Sequence, residues 1–264
     1  MTFNLLISCM HEKDTSIIQR SNVQTDVVVV NQCDRDSVEE FDFVNKKGKS
    51  CHAKFICTTE RGLSRSRNMA IRNAWGDVCL ICDDDELFPD DYKDIILKAY
   101  EEEPQADVIA FALDRKDHPK VFSKQKSNLD FKRIGQTSSL QITFKRQSVL
   151  SKGISFDVKM GSGTGNGGGE ENMFLHTCRR VGLKMYYHPS VIAIVQETDK
   201  SKWFKGFTDQ YFRNLGWVTR RIHGAFVGIA YLVMWILTHR NLYAKDNTTI
   251  NAIKNLYIGF NEKR

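Results

Sequence analysis

The chain has 264 residues, 41% hydrophobic and 27% charged, enough for one substantial core or for one core with a small appendage. A count of 38 basic against 32 acidic residues leaves a net charge of +6, a mild excess that suits an acidic membrane surface or a phosphorylated ligand. No basic stripe interleaved with aromatics follows a nucleic-acid-binding pattern, so no nucleic acid is expected as a partner. Seven cysteines, an odd number in mostly apolar context, argue for reduced core thiols over a disulfide framework.

Residues 3–8 read as a first strand, where a signal peptide would need a basic start, a longer apolar run and a cleavage site. A short helix over 14–20, a buried strand over 26–31 with four consecutive valines, and a strand over 53–58 follow. Next come a helix over 64–75 with Ser64 placed to cap it, a strand over 78–82, a helix from Pro89 to about 103 and a strand over 107–113. Buried strands alternating with helices predict an α/β domain with a Rossmann-like, mostly parallel sheet covered by helices on both faces. Ligands of such sheets bind beyond the carboxyl ends of the strands, where Asn31, Thr58 and Asp83 fall. The polar stretch 114–135 reads as an inserted loop or hairpin over the site. A strand over 140–144, a helix over 146–152, a glycine-rich loop over 161–169, a helix over 170–181 and strands over 183–187 and 191–195 complete this part. From about residue 200 the character turns helical, aromatic and basic. The longest apolar run, 225–237, is 13 residues, short of the roughly 18–20 needed to span a bilayer.

The chemistry concentrates in three stretches. Residues 78–82 form an apolar run that ends in Asp83-Asp84-Asp85-Glu86. In an extended chain Asp83 and Asp85 point to the same side, and a hard divalent cation (Mn2+ or Mg2+) holding a diphosphate would relieve their repulsion. The competing reading is a solvated loop leading into the next helix. An EF-hand is excluded, because Pro89 and Asp90 follow where a loop glycine and spaced ligands should stand. Cys79 and Cys82 have C-x-x-C spacing, but positions three apart on a strand face opposite ways, which argues against a zinc knuckle.

The second stretch is Arg61-Gly62-Leu63-Ser64-Arg65-Ser66-Arg67-Asn68. Leu63, Arg67, Ala70, Ile71 and Ala74 share one helical stripe, which turns Arg67 toward the sheet. Arginines in a first turn oppose the helix dipole unless an anion is close; the alternative is that Arg65 and Arg67 reach solvent. The third stretch is the glycine loop, with six glycines in nine residues, running into Glu170 and Glu171. Its G-x-G-x-x-G at 163–168 lacks the preceding strand of a dinucleotide site and the lysine of a P-loop. What remains is a loop that delivers two carboxylates to a helix start, one of them a general base if it faces a cleft. Asn31 and Gln32 end the second strand with amides that could read the edge of uracil, although turn formation explains an Asn there equally well.

Taken in order, a strand ending in an amide, R-G-L-S-x-x-R-N, a strand ending in D-D-D, and G-G-x-E-[DE] before a helix resemble glycosyltransferase family 2, inverting enzymes of the GT-A fold. The resemblance covers about residues 1–200. It implies a donor-binding half at about 1–113, an acceptor-side half at about 114–199 and a helical region at 200–264. By the same resemblance Asp85 is the direct metal ligand, with Asp83 beside it and nearer the ribose. Ser8, Asn31, Gln32, Arg61, Arg67, Asn68, Asp83 and Asp84 fall on the donor side, and Glu171 or Glu170 is the catalytic base. Three positions depart from the pattern: amides at 31 and 32 replace acids, Glu171 replaces Asp, and Gln196-Glu197 stands where a histidine is common. The implied activity moves a sugar with inversion from a nucleotide diphosphate, UDP first, to a glycan or polyprenyl-linked glycan.

For the tail, Trp203, Phe204, Phe207, Tyr211 and Leu215 form an apolar stripe edged by Lys200, Lys202, Lys205 and Arg213. It reads as an element lying on the membrane surface or as a subdomain packed on the sheet or in a homodimer. Two rival functions remain: a nucleotidyl- or phosphotransferase using paired aspartates, and a non-enzymatic scaffold held at the membrane by the tail.

Overall fold

The computed structural model describes residues 1–115, 123–195 and 204–264. Its strands are β1 (Phe3–Met10), β2 (Asp26–Gln32), β3 (Ser37–Val44), β4 (Ser50–Thr58), β5 (Val78–Cys82), β6 (Glu86–Leu87), β7 (Val108–Arg115), β8 (Ser127–Asn128), β9 (Ile142–Lys145) and β10 (Met185–Val195). The helices are α1 (Ile17–Arg20), α2 (Leu63–Asn73), α3 (Tyr92–Glu102), α4 (Phe131–Ile134), α5 (Arg146–Ser151), α6 (Glu170–Arg180), α7 (Asp209–Thr238), α8 (Arg240–Tyr243) and α9 (Thr249–Asn261).

One sheet runs β3-β4-β2-β1-β5-β9-β7-β10-β6, with β8 paired to β10. The block β4-β2-β1-β5 is parallel, so its carboxyl ends share one edge. The period of two along each strand divides the core between the faces. Leu5, Ile7, Val27, Val29, Leu80 and Cys82 pack with α1 and α3, whereas Leu6, Val28, Val30, Cys79 and Ile81 pack with α2 and α6. Cys79 and Cys82 thus lie on opposite faces, and all seven cysteines are buried and free.

Four local expectations are revised. β3 is an added edge strand antiparallel to β4; only Phe41 and Phe43 reach the core, too sparse a signal to read as a strand, while Glu39, Glu40 and Asp42 keep the edge soluble. Ser64 does not cap α2. Gly62 holds that position, and Ser64, two positions further in, donates to the Met160 carbonyl at 2.8 Å. The helix after Pro89 starts at Tyr92, with Asp91 before it. The two strands expected after Gly182 are one, β10, which crosses Pro189 through register shifts between His188 and Val191 and beyond; a bulge is where a strand tolerates a proline.

The helical end differs most. Asp209–Thr238 is long and apolar enough to cross a membrane by length and composition, contrary to the reading of its 13-residue run. It is not one rod, however. Gly224 has φ 74° and ψ −166°, a region open in practice to glycine alone, and the chain folds back there. The rings of Phe212 and Trp235 lie 6.1 Å apart, whereas 23 positions along a straight helix would separate them by about 34 Å. The arms 209–223 and 225–238 therefore form a hairpin, and α9 packs on both. Gly216 and Gly259 permit the contact: a Cβ on Gly216 would sit 2.2 Å from the Leu256 carbonyl oxygen, and one on Gly259 1.9 Å from that of Arg213. Phe207, Tyr211 and Leu215 pack inside this unit against Phe212, Trp235 and Tyr243. That part of the expected stripe is partly buried within the unit, while Phe204 is 54% exposed; Trp203, Lys200 and Lys202 lie outside the described residues.

Candidate active site

The site lies at the carboxyl edge of the parallel block and is built around Arg67. On α2 this side chain turns toward the sheet and is 1% exposed. One guanidinium nitrogen donates to Glu170 Oε1 at 2.9 Å, and another donates to Asp83 Oδ1 and Oδ2 at 2.9 and 3.1 Å. The arginine helix, the acid-tipped strand and the start of α6 are thereby tied at one point. Burial alone would lower the arginine's proton affinity, but the charges of Asp83, then Glu170 and Glu171, override it and hold the cation firmly. The first-turn arginines thus separate: Arg67 meets the acids, whereas Arg65 stays at the surface facing Glu60 at 3.8 Å.

A cleft of about 580 Å³ opens beside this junction, lined by Ser8, Gln32, Arg61, Gly62, Asp83, Asp84, Asp85, Ser162 and Gly163 among others. Ser8 accepts from the Ser66 hydroxyl at 2.9 Å. Arg61 donates to Asp34 at 2.6 Å and to the Thr58 carbonyl at 3.1 Å. Gln32 accepts the Gly62 N–H at 2.7 Å, which anchors the turn into α2.

Two of the donor-side expectations are corrected by these contacts. Asn31 is fully buried on the other face of β2, and both ends of its amide are spent on the backbone of Glu12, at 2.8 and 3.0 Å. The alternation that brings Gln32 to the cleft turns Asn31 away, so no edge remains to read a base. Asn68 likewise grips the Phe156 backbone in both directions at 2.8 Å and shapes the wall without facing the cleft. Asp83 has the Arg67 guanidinium as a positive contact at 2.9 and 3.1 Å.

Glu86, read at first only as the last of four acids, proves part of the site. It is buried and accepts the Asp83 N–H at 3.0 Å. Burial, then Asp83, pushes its carboxyl well above the usual range, and its Oε2 has no partner among the described residues. Its pairing through β6 with Val195 of β10 is a long-range event with no local sequence signal. Asp84, at the cleft mouth, is also raised, by partial burial and by the charges of Asp83 and Glu12.

This surplus of crowded oxygens suits a hard cation. Among the described residues no group of three or more metal-ligating side chains is assembled; a divalent ion bound by one or two carboxylates plus a ligand's phosphates needs no more. Asp85, with Asp83 and Asp84 beside it, supplies the carboxylates on the cleft that fit it.

On the far side of Arg67 lie the two glutamates. Glu170 is held by Arg67 and leaves Oε2 unpartnered among the described residues. Glu171 also has a buried, unpartnered Oε2, and burial followed by the charge of Glu170 pushes its carboxyl up to about 8, with Arg67 opposing. The loop that delivers them has φ between 74° and 95° at Gly161, Gly163 and Gly165 and turns between two clefts. Gly163 borders the cleft already described. Gly167 and Gly168 border a second one of about 480 Å³, lined also by Phe204, Lys205, Gln210, Tyr211 and Asn214. Part of the expected cover over the site, 116–122, and the Gln196-Glu197 pair lie outside the described residues.

The sequence pattern of glycosyl transferase family 2 matches residues 15–164, more than half of the chain. The chain belongs to this family. Solved structures agree on the fold. The S. aureus protein TarS, residues 1–349, in complex with UDP-GlcNAc superposes with a TM-score of 0.65 at 14% identity, covering 98% of this chain and 82% of that one. The mannosyltransferase PcManGT from Pyrobaculum calidifontis, in complex with GDP-Man and Mn2+, gives 0.54 at 13% identity, with coverage of 98% and 88%. No curated protein matches the chain in sequence. The chain is a glycosyltransferase of the GT-A fold, an α/β sheet with a helical C-terminal appendage.

Proposed function

We propose that this glycosyltransferase moves a sugar, with inversion, from a nucleotide diphosphate donor, UDP first, to a hydroxyl of a glycan or polyprenyl-linked glycan in surface polysaccharide synthesis. It would work in the cytoplasm at the inner face of the plasma membrane, with contact through the 200–264 region. The donor-binding half is 1–113 and the acceptor side 114–199. The observation that carries the reading is the Arg67 junction, which brings the acid cluster and the glutamate pair to opposite sides of one buried cation.

In this reading Ser8, Gln32 and Arg61 line the donor's bed, and Asp83, clamped by Arg67, fixes the strand end from which Asp84 and Asp85 reach the diphosphate. Mn2+ or Mg2+ held by Asp85, with Asp83 and Asp84 beside it, would neutralise the departing diphosphate. Glu171 takes the proton from the acceptor hydroxyl as that oxygen attacks the anomeric carbon from the face opposite the leaving group. Its proton affinity near neutrality favours this role over Glu170, whose Oε1 is committed to Arg67. The acceptor approaches along the second cleft, where Phe204 and Tyr211 offer ring faces and Gln210 and Asn214 offer amides.

Thermal shift with nucleoside diphosphates, with and without Mn2+, tests the reading. A UDP shift that needs the metal and vanishes in Asp85→Ala is expected; indifference to every nucleotide would overturn it. Release of UDP during turnover separates glycosyl transfer from nucleotidyl transfer, which would release pyrophosphate.

A further inference from the structure

The second arm of α7 and helix α9 leave apolar faces that none of the described residues covers. On the arm, Phe226, Ile229, Val233 and Leu237 recur at helical spacing and are 91%, 53%, 56% and 75% exposed. On α9, Ile250, Ile253 and Tyr257 repeat the pattern at 83%, 51% and 72%. Between the two helices runs a groove of about 440 Å³ floored by Leu232, Ile236, Leu256 and Phe260. Large side chains this exposed, contiguous over two helices, exceed what a soluble surface ordinarily carries.

Charge indicates what covers them. Residues 204–264 hold nine basic and three acidic side chains, which accounts for the whole chain's surplus of +6. The run 225–237 has no charged residue, and the charged side chain within α9 is Lys254. Apposing two copies through this unit would bring like charge to like, whereas an anionic leaflet would neutralise it. Length excludes a crossing by the arm: 14 residues rise about 21 Å, against a hydrocarbon core of about 30 Å, and the chain reverses at Gly224.

We propose that the second arm of α7 and α9 lie flat in the interface of an anionic lipid bilayer, with the apolar stripes inserted and the surrounding lysines and arginines at the headgroups. This face differs from the aromatic stripe at 204–215, whose Phe207, Tyr211 and Leu215 pack partly buried against the core of the helical unit. The inference names the surface for the membrane contact in the functional reading, yet it stands on the shape and charge of the helical unit and is testable without a donor.

The test is flotation of the full-length chain with vesicles of phosphatidylcholine alone or mixed with phosphatidylglycerol. Binding to the mixed vesicles, weakened by salt and by omission of phosphatidylglycerol, is expected. Phe226→Asp and Ile250→Asp, at highly exposed positions, should each lower partitioning roughly tenfold or more while thermal stability stays unchanged. Asp85→Ala should float like the parent, which separates failure of this inference from failure of the donor reading. No binding to the mixed vesicles, equal binding to both kinds, or a stable dimer in solution that Phe226→Asp splits would each overturn the proposal.

Discussion

Replacing Arg67 by methionine examines the centre of the site. The guanidinium is 1% exposed and pairs with Glu170, 7% exposed, and with Asp83, 28% exposed. Methionine fills much of the volume but leaves two carboxylates beside Glu171 without their cation. Breaking a buried pair from one side costs about 3–5 kcal/mol. Asp83 keeps some water, so most of the penalty falls on Glu170. For a protein of this size that loss lowers Tm by roughly 6–20 °C. In a Glu170→Gln background the same replacement should cost about 2 kcal/mol less. Urea unfolding of the four proteins of this cycle is the assay. A loss below about 1 kcal/mol would refute a buried junction of this kind.

Other outcomes follow from the same geometry. Glu171→Gln should lower kcat by roughly 10²- to 10⁴-fold while the metal-dependent UDP shift persists; loss of donor binding instead would place Glu171 on the donor side. Because the Glu171 carboxyl rises from 4.5 to about 8 on folding, the folded state binds more protons than the unfolded chain. Its contribution is therefore complete below pH 4.5 and is lost as pH rises to 8. Glu86, raised for the same reason, adds to that fall. Denaturation midpoints should decline over this window, less steeply in Glu171→Gln. Gly259→Ala would drive a methyl to 1.9 Å from the Arg213 carbonyl oxygen; separation of the helices should cost at least about 1–3 kcal/mol, seen as a lower Tm, and no change would mean that this crossing is looser than described.

Much of this protein follows from local pattern. Apolar runs of strand length separated by amphipathic helices specify the α/β sheet, because a strand buried on both faces needs helices on each. A parallel block gathers its strand ends on one edge, so Asp83–Asp85 and Arg61 were bound to border a shared cleft. Which side chain faces that cleft was decided by tertiary packing. Asn31 and Gln32 are equivalent amides in sequence, and the register of β2 between β1 and β4 sends one to Glu12 and the other to Gly62. Arg67 meets partners 16 and 103 positions away, a meeting that no periodicity encodes, and Glu86 is buried only because β10 returns beside it. The tail shows the same division: its helical and apolar character is plain in composition, but the reversal at Gly224 decides that it forms a hairpin and which stripe is left outside. Hydrophobic periodicity is a property of neighbouring residues, whereas a buried charge is settled by whatever distant segment arrives to neutralise it.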